Sequence, residues 1–269
     1  MSASALTLTL RAAPRQPLDL APLLPERLAG LPLRALTALA LRLGRTTVPL
    51  GELFEVRAGD AGTIVLRGTT GSCDRIGAGM RRGVLRVEGD AGALLGVGMT
   101  GGAIEVAGSV GDLAAAEAAG GVVRIAGDAG ARLAGALPGA GGTSGAAVLL
   151  AGSCGAAVGA RMRKGLVLVG GDAGPHAAMA LRGGTVLVAG RCGPDPAPLM
   201  RRGTLLLAHA PERLLPTFTD AGRHELLWLA LLERELARLG GSLPLPSCHV
   251  RRLHGDLADL GKGEILIAA

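Results

Sequence analysis

The chain has 269 residues, 49% of them apolar and 19% charged, with 45 glycines and a net charge of +6. That apolar content supplies a core and excludes global disorder. Two phenylalanines, one tryptophan and no tyrosine exclude the aromatic platforms on which single-stranded nucleic acids stack; no nucleic-acid partner is expected, and the core must be thin and aliphatic.

Residues 1–50 carry no internal repeat and read as an N-terminal cap segment. LTLTLR (6–11) alternates like a strand. PERLAGLPLRALTALALRLG (25–44) reads as one or two short helices.

Residues 51–209 are built on one phrase, G-x-[VIL]-x-[VIL]-x-G-x-x-G. It is written GVLRVEGDAG from Gly83, GAIEVAGSVG from Gly102 and GVVRIAGDAG from Gly121. It returns as AAVLLAGSCG from Ala146, GLVLVGGDAG from Gly165 and GTVLVAGRCG from Gly184, with a decayed copy, GTLLLAHAPE, from Gly203. The step is 19 residues, except for six extra residues before Ala146, placed in LPGAGGTSG (137–145). A period this short is too small for paired helices and fits one coil of an all-β solenoid. Apolar residues alternate at period two, as strands require. Leu85 and Val87, Ile104 and Val106, and their counterparts in later coils point inward, each stacking about 4.8 Å from the next.

The outward positions differ along the chain. Arg86, Glu105 and Arg124 form a ladder of alternating charge, favourable between neighbouring strands. The same position then becomes Leu149, Leu168, Leu187 and Leu206, with Leu166 beside them. An apolar stripe on the outside needs a cover, supplied either by a helix of this chain or by a partner subunit. The corner before the first glycine of each phrase carries Arg81 and Arg82, then Arg163 and Lys164, Arg182, and Arg201 and Arg202. These stacked cations are either a solvated edge or a docking rail for an acidic surface or polyanionic tail.

Residues 210–269 form the C-terminal part. DAGRHELLWLALLERELARL (220–239) is a helix candidate with Leu229, Leu232, Leu236 and Leu239 as its apolar stripe and Gly240–Gly241 as its stop. GEILIAA (263–269) is a closing strand. The 28 uncharged residues 133–160 are long enough to span a bilayer, but eight glycines, one proline and the repeat itself argue against a membrane helix. Cys73, Cys154, Cys192 and Cys248 show no CxxC spacing, and no signal peptide opens the chain, which fits reduced cysteines in a cytoplasmic protein. His176, His209, His224, His249 and His254 form no metal-binding motif. No catalytic residue and no metal ligand is assigned.

The segments CDRIGAGMRRGVLRVEGDAG (73–92), GALLGVGMTGGAIEVAG (92–108) and GAAVGARMRKGLVLVGGDAG (155–174) resemble the glycine repeat of the glutamate synthase C-terminal domain. That right-handed parallel β-helix is shared with the C subunit of formylmethanofuran dehydrogenases. The repeat alone does not choose between them. LDLAPLLPERLAGL (18–31) with LRLGRTTVPLGELFEV (41–56) resembles the N-terminal region of the formylmethanofuran dehydrogenase subunit, and the length suits a stand-alone chain. DLAAAEAAGG (112–121), which lacks the Met-x-Gly-Gly corner, and Ala146 in a glycine slot depart from the pattern.

The resemblance implies a right-handed β-helix with an N-terminal cap and a C-terminal capping helix. It implies a non-catalytic scaffold subunit of the bacterial formyltransferase/hydrolase complex, a hetero-oligomer of one-carbon metabolism. There a formyl group passes from tetrahydromethanopterin to a methanofuran-like coenzyme and is hydrolysed to formate during formaldehyde oxidation. The implied partners are a zinc-hydrolase-type subunit, a formyltransferase subunit and a further dehydrogenase-like subunit, with no cofactor of the chain's own. Such coenzymes carry glutamate-rich tails, which makes Arg163, Lys164, Arg182, Arg201 and Arg202, with Arg81 and Arg82, candidate carboxylate-holding residues. A glutamate-synthase-like module and an unrelated protein-binding solenoid are the alternatives.

Overall fold

Alternating apolar residues in successive phrases become successive parallel strands in a computed structural model, which describes residues 4–142, 144–242 and 248–269. The N-terminal part contains β1 (Ala5–Leu10), β2 (Leu18–Asp19), α1 (Pro25–Leu28), α2 (Leu33–Thr37), β3 (Ala40–Leu43), β4 (Thr46–Pro49) and α3 (Leu50–Leu53). Then come β5 (Phe54–Arg57), β6 (Asp60–Arg67) and β7 (Cys73–Asp74). The phrases supply β8 (Val84–Glu88), β9 (Ala103–Val106), β10 (Val122–Ile125), β11 (Ala147–Leu150), β12 (Leu166–Val169), β13 (Thr185–Val188) and β14 (Arg202–Leu207). The chain finishes with β15 (Thr219–Glu225), α4 (Trp228–Leu239), β16 (His249–Gly255) and β17 (Lys262–Ala268).

The fold is mostly β, with a 13-stranded and a 4-stranded sheet. In the larger one, β1, β6, β8 to β14 and β17 form one parallel run. Register follows the sequence period: Leu85 pairs with Ile104, Ile104 with Val123 and Val167 with Val186. Across the six extra residues, Val123 still pairs with Val148, so the insertion loops out without shifting the alternation. A second parallel ladder of single bridges runs Ala91, Val110, Ala129, Cys154, Ala173, Cys192. Inward residues of both ladders meet in one aliphatic core, in which Phe54 is the fully buried aromatic among the described residues.

Beside the second ladder runs a device that sequence reasoning missed. In the glycine-flanked slot of successive phrases stand Asp90, Ser109, Asp128, Ser153, Asp172 and Arg191. Each side-chain oxygen accepts the backbone N–H of the next member: Ser109 N–H to Asp90, Asp128 N–H to Ser109, Ser153 N–H to Asp128, Asp172 N–H to Ser153 and Arg191 N–H to Asp172, at 2.6–3.0 Å. These bonds satisfy N–H groups that the single-residue bridges leave over.

Two expectations need correction. Ala40–Leu43 is strand, not helix, because it pairs with β2 and β4 in the smaller sheet. Thr219–Glu225 is strand rather than the start of the C-terminal helix. It pairs antiparallel with β16, and Gly222, at φ +90°, donates its N–H to Asp220. The end segments also extend the large sheet: β1 pairs with β6, and β17 with β14. Antiparallel β5 finishes one end, and β16 with β15 the other.

Candidate functional site

Because the step is 19 residues, the basic corner resolves into two columns. Arg163, Arg182 and Arg201 follow one another along the strand-stacking direction, with Arg182 N–H on Met162 O and Arg201 N–H on Leu181 O, both at 2.8 Å. Lys164, Gly183 and Arg202 form the second column, which Lys262 continues as the β-partner of Arg202. Neighbours are about 4.8 Å apart along the stack, where two unit charges in water repel by roughly 1 kcal/mol. That is small enough for the corner to persist, and an anion lying along it removes the repulsion.

The first column is held by the chain itself. Arg163 Nε and Arg182 Nη1 both donate to Gly141 O at 3.0 Å, and Arg163 N–H donates to Ser144 Oγ at 3.0 Å. The inserted run thus folds against the corner and gathers two guanidiniums; its Thr143 lies outside the described residues. Arg201 pairs with Asp259 at 2.9 Å. Each guanidinium keeps further N–H groups for an external carboxylate. In the second column, the side chains of Lys164, Arg202 and Lys262 are exposed and meet no partner among the described residues. Arg81 and Arg82 are not brought to this group. They lie four repeats away, about 19 Å, and the Arg81 N–H donates to Glu26 of α1 at 2.9 Å. Sequence reasoning also missed Lys262 and Asp259. The signal for Lys262 was present: KGEILI (262–267) repeats the spacing of KGLVLV (164–169).

The leucine stripe is covered by this chain over most of its length. Leu168, Leu187 and Leu206 are buried beneath Leu229 and Leu236 of α4, with Val250 and Leu266 completing the cluster. Leu149 and Leu166 remain half-buried at its edge. Complete burial of a leucine contributes roughly 1.5–3 kcal/mol, which makes this seam the main anchor of the helix. The helix ends at Gly240, φ +85°, with Gly241 N–H on Leu236 O at 2.8 Å, a left-handed cap that β-carbons disfavour. Arg124 Nε donates to the terminal Leu239 carbonyl at 3.1 Å, a cation where the helix dipole is negative. The same Arg124 sits 3.9 Å from Glu105, which pairs with Arg86 at 3.1 Å. The outward charge ladder therefore runs into the helix C-terminus.

Burial pushes the thiols of Cys154 and Cys192 up to about 12, so both stay protonated and are poor nucleophiles at neutral pH. Beyond Cys192 the second ladder stops. Pro211, 19 residues on, has no N–H to continue it, and a cleft of about 860 Å³ opens there, lined by Asp172, Arg191, Cys192, His209 and Glu212. Among the described residues, no group of three His, Cys, Asp or Glu is placed to hold a metal ion, and no helix is long and apolar enough to cross a membrane.

This chain is similar to known proteins along nearly its whole length. It is 51% identical over 264 residues to the C subunit of the formyltransferase/hydrolase complex Fhc of Methylorubrum extorquens, covering 98% of this chain and 99% of the relative. It superposes, with a TM-score of 0.90 and 37% identity, on a chain of the X-ray crystal structure of the formyltransferase/hydrolase complex FhcABCD from Methylorubrum extorquens in complex with methylofuran. That match covers 98% of this chain and 99% of the other. No protein-family model matches the chain.

Proposed function

This chain belongs to the family of C subunits of formyltransferase/hydrolase complexes, and on that premise we propose that it is the scaffold of such a complex, without an active site of its own. The observation that carries the reading is the match along essentially the whole of both chains. In this reading the parallel run winds as a right-handed β-helix over residues 51–209, between an N-terminal cap (1–50) and a C-terminal helix and strand (210–269). It stands in the cytoplasm beside a zinc-hydrolase-type subunit, a formyltransferase subunit and a dehydrogenase-like subunit. Those partners move a formyl group from tetrahydromethanopterin to a methanofuran-like coenzyme and hydrolyse it to formate.

The basic corner holds the glutamate-rich tail of that coenzyme. Arg163, Arg182 and Arg201 present spare guanidinium N–H groups, suited to carboxylates, and Lys164 and Arg202 add unpaired charge beside them. Arg81 and Arg82 form a separate basic point four repeats away. Leu149 and Leu166 offer a partner the uncovered edge of the leucine seam, while Leu168, Leu187 and Leu206 support it from beneath α4.

Arg201→Glu with Arg202→Glu, assembled into the complex, tests the corner. Both residues are exposed, and the Arg201–Asp259 pair that is lost is of a surface kind worth at most about 1 kcal/mol, so the melting temperature should hardly move. The Kd for the coenzyme with its full tail should rise about tenfold or more, and most at low salt. A coenzyme without its glutamyl tail should bind wild type and variant equally. Unchanged binding of the full-length coenzyme removes the corner from the account.

A further inference from the structure

The large exposed apolar side chains among the described residues fall into three groups: Leu31 and Leu33 in the N-terminal part, Leu227, Trp228 and Leu231 at the start of α4, and Leu257 and Leu260 in the turn before β17 with Leu199 in the loop before β14, tied to that turn by its N–H on Asp256. The third group stands apart because it is rigidly presented and has a charged rim of one sign. Its leucines are 52%, 61% and 46% exposed, yet the backbone beneath them is tied down. The buried carboxylate of Asp256 accepts the N–H groups of Leu199 at 2.8 Å and Ala258 at 2.9 Å. Asp256 N–H donates to Met200 O, Leu257 N–H to Thr217 O and Gly261 N–H to Asp256 O, at 3.0–3.1 Å. Three leucines held out to solvent on a frame of five hydrogen bonds are not a loose tip. An apolar patch with a polar rim marks a protein contact. The rim is positive: Arg201 and Asp259 cancel each other, while Arg202 and Lys262, side by side across β14 and β17, remain unpaired among the described residues.

We infer that this terminal turn is a docking surface for a neighbouring subunit, and that the segment it receives presents apolar side chains flanked by aspartate or glutamate. Leucines of the turn supply the desolvated centre of such a contact, and Arg202 and Lys262 its rim. The inference rests on the reading of this chain as a member of a complex. It adds that the docked subunit sits at the end of the basic corner, where a tethered coenzyme emerges from the rail.

The test uses the full chain with Leu257→Ser and Leu260→Ser, produced together with the other subunits of its complex. Assembled complex is quantified by size-exclusion chromatography with light scattering. The double variant should melt as wild type does when isolated, but yield at least tenfold less assembled complex at equal concentration. Wild-type assembly should weaken between low and moderate salt, and Arg202→Ala with Lys262→Ala should flatten that dependence. If wild type and the serine variant assemble equally well, the surface assignment is wrong while the reading of the chain as part of a complex stands. If the isolated wild type is a dimer that the serine variant splits, a second copy occupies the turn, and the inference is overturned. If wild type recovers no other subunit, both the reading and the inference fall.

Discussion

Gly184→Val destabilises the chain by about 2–5 kcal/mol, a large share of the roughly 5–15 kcal/mol that holds a typical domain together. Gly184 sits at the corner between two stacked repeats with φ +84°. An L-residue in the left-handed region costs roughly 1–2 kcal/mol, and a β-branched one is a clear outlier there. The added Cβ also lies 2.8 Å from the Gly165 carbonyl oxygen and 2.9 Å from the Lys164 carbonyl carbon. Neither atom can retreat cheaply, because Gly165 O accepts the Thr185 N–H at 3.1 Å and Gly184 O accepts the Thr204 N–H at 3.1 Å. Overpacking of this kind adds about 1–3 kcal/mol. Ala146 occupies the equivalent slot directly after the insertion, without a positive φ, so an L-residue is accepted there. The check is a urea midpoint for wild type and variant. A loss below about 1 kcal/mol would mean that the corners are not stacked at the register described.

The second large effect is expected at Asp256. Its side chain is 2% exposed and joins the seventh phrase to the closing strand through Leu199 N–H and Ala258 N–H. Asp256→Ala leaves two part-buried donors without their acceptor, at about 1 kcal/mol or a little more for each, and should cost about 2 kcal/mol in all. Asp256→Asn keeps one acceptor and should cost about half as much. The pH dependence follows from the same contacts. Burial alone raises the Asp256 pKa, but the Thr217 hydroxyl and the N–H groups of Ala258 and Leu199 outweigh it and hold the pKa below the usual carboxylate range. Thr217 Oγ1 meets no hydrogen-bond partner among the described residues, so the contacts that hold the carboxylate are the N–H groups of Leu199 and Ala258. With the folded pKa below the unfolded value of about 3.9, the contribution is complete above that value and is lost as pH falls through the folded pKa. Wild type should therefore lose more stability than Asp256→Asn as pH falls below about 3.9. Parallel pH profiles for the two proteins would contradict the role given to this carboxylate.

How much of this was legible in the sequence depends on whether the signal was local. Leu85, Val123 and Val167 announced their inward direction by period two, and the 19-residue step announced their partners, because both are written within one phrase and its neighbour. The stripe of Leu229, Leu232 and Leu236 and the glycine stop were local too, so the helix and its buried face were readable. Asp220–Glu225 was not: its strand state depends on β16, some thirty residues away, and DAG beside a helical stripe reads as helix in isolation. LTLTLR was visibly a strand, but its place beside β6 rests on a pairing of Leu8 with Leu66 that no local pattern encodes. At the basic corner the stacked cations followed from the period, whereas the convergence of Arg163 and Arg182 on Gly141 arises because the insertion folds back over them. The Asp–Ser ladder was written in plain view, as alternating GDAG, GSVG and GSCG. It reads as turn composition until the next N–H is seen to meet each oxygen.

Membership of this chain in a formyltransferase/hydrolase complex is tested by the mass and protein content of the assembly recovered with the tagged chain from its own cell. The account predicts a stable hetero-oligomer in which this chain accompanies a zinc-hydrolase-type subunit and a formyltransferase subunit. A single 26.8 kDa species, with those two partners purifying together in its absence, would contradict it.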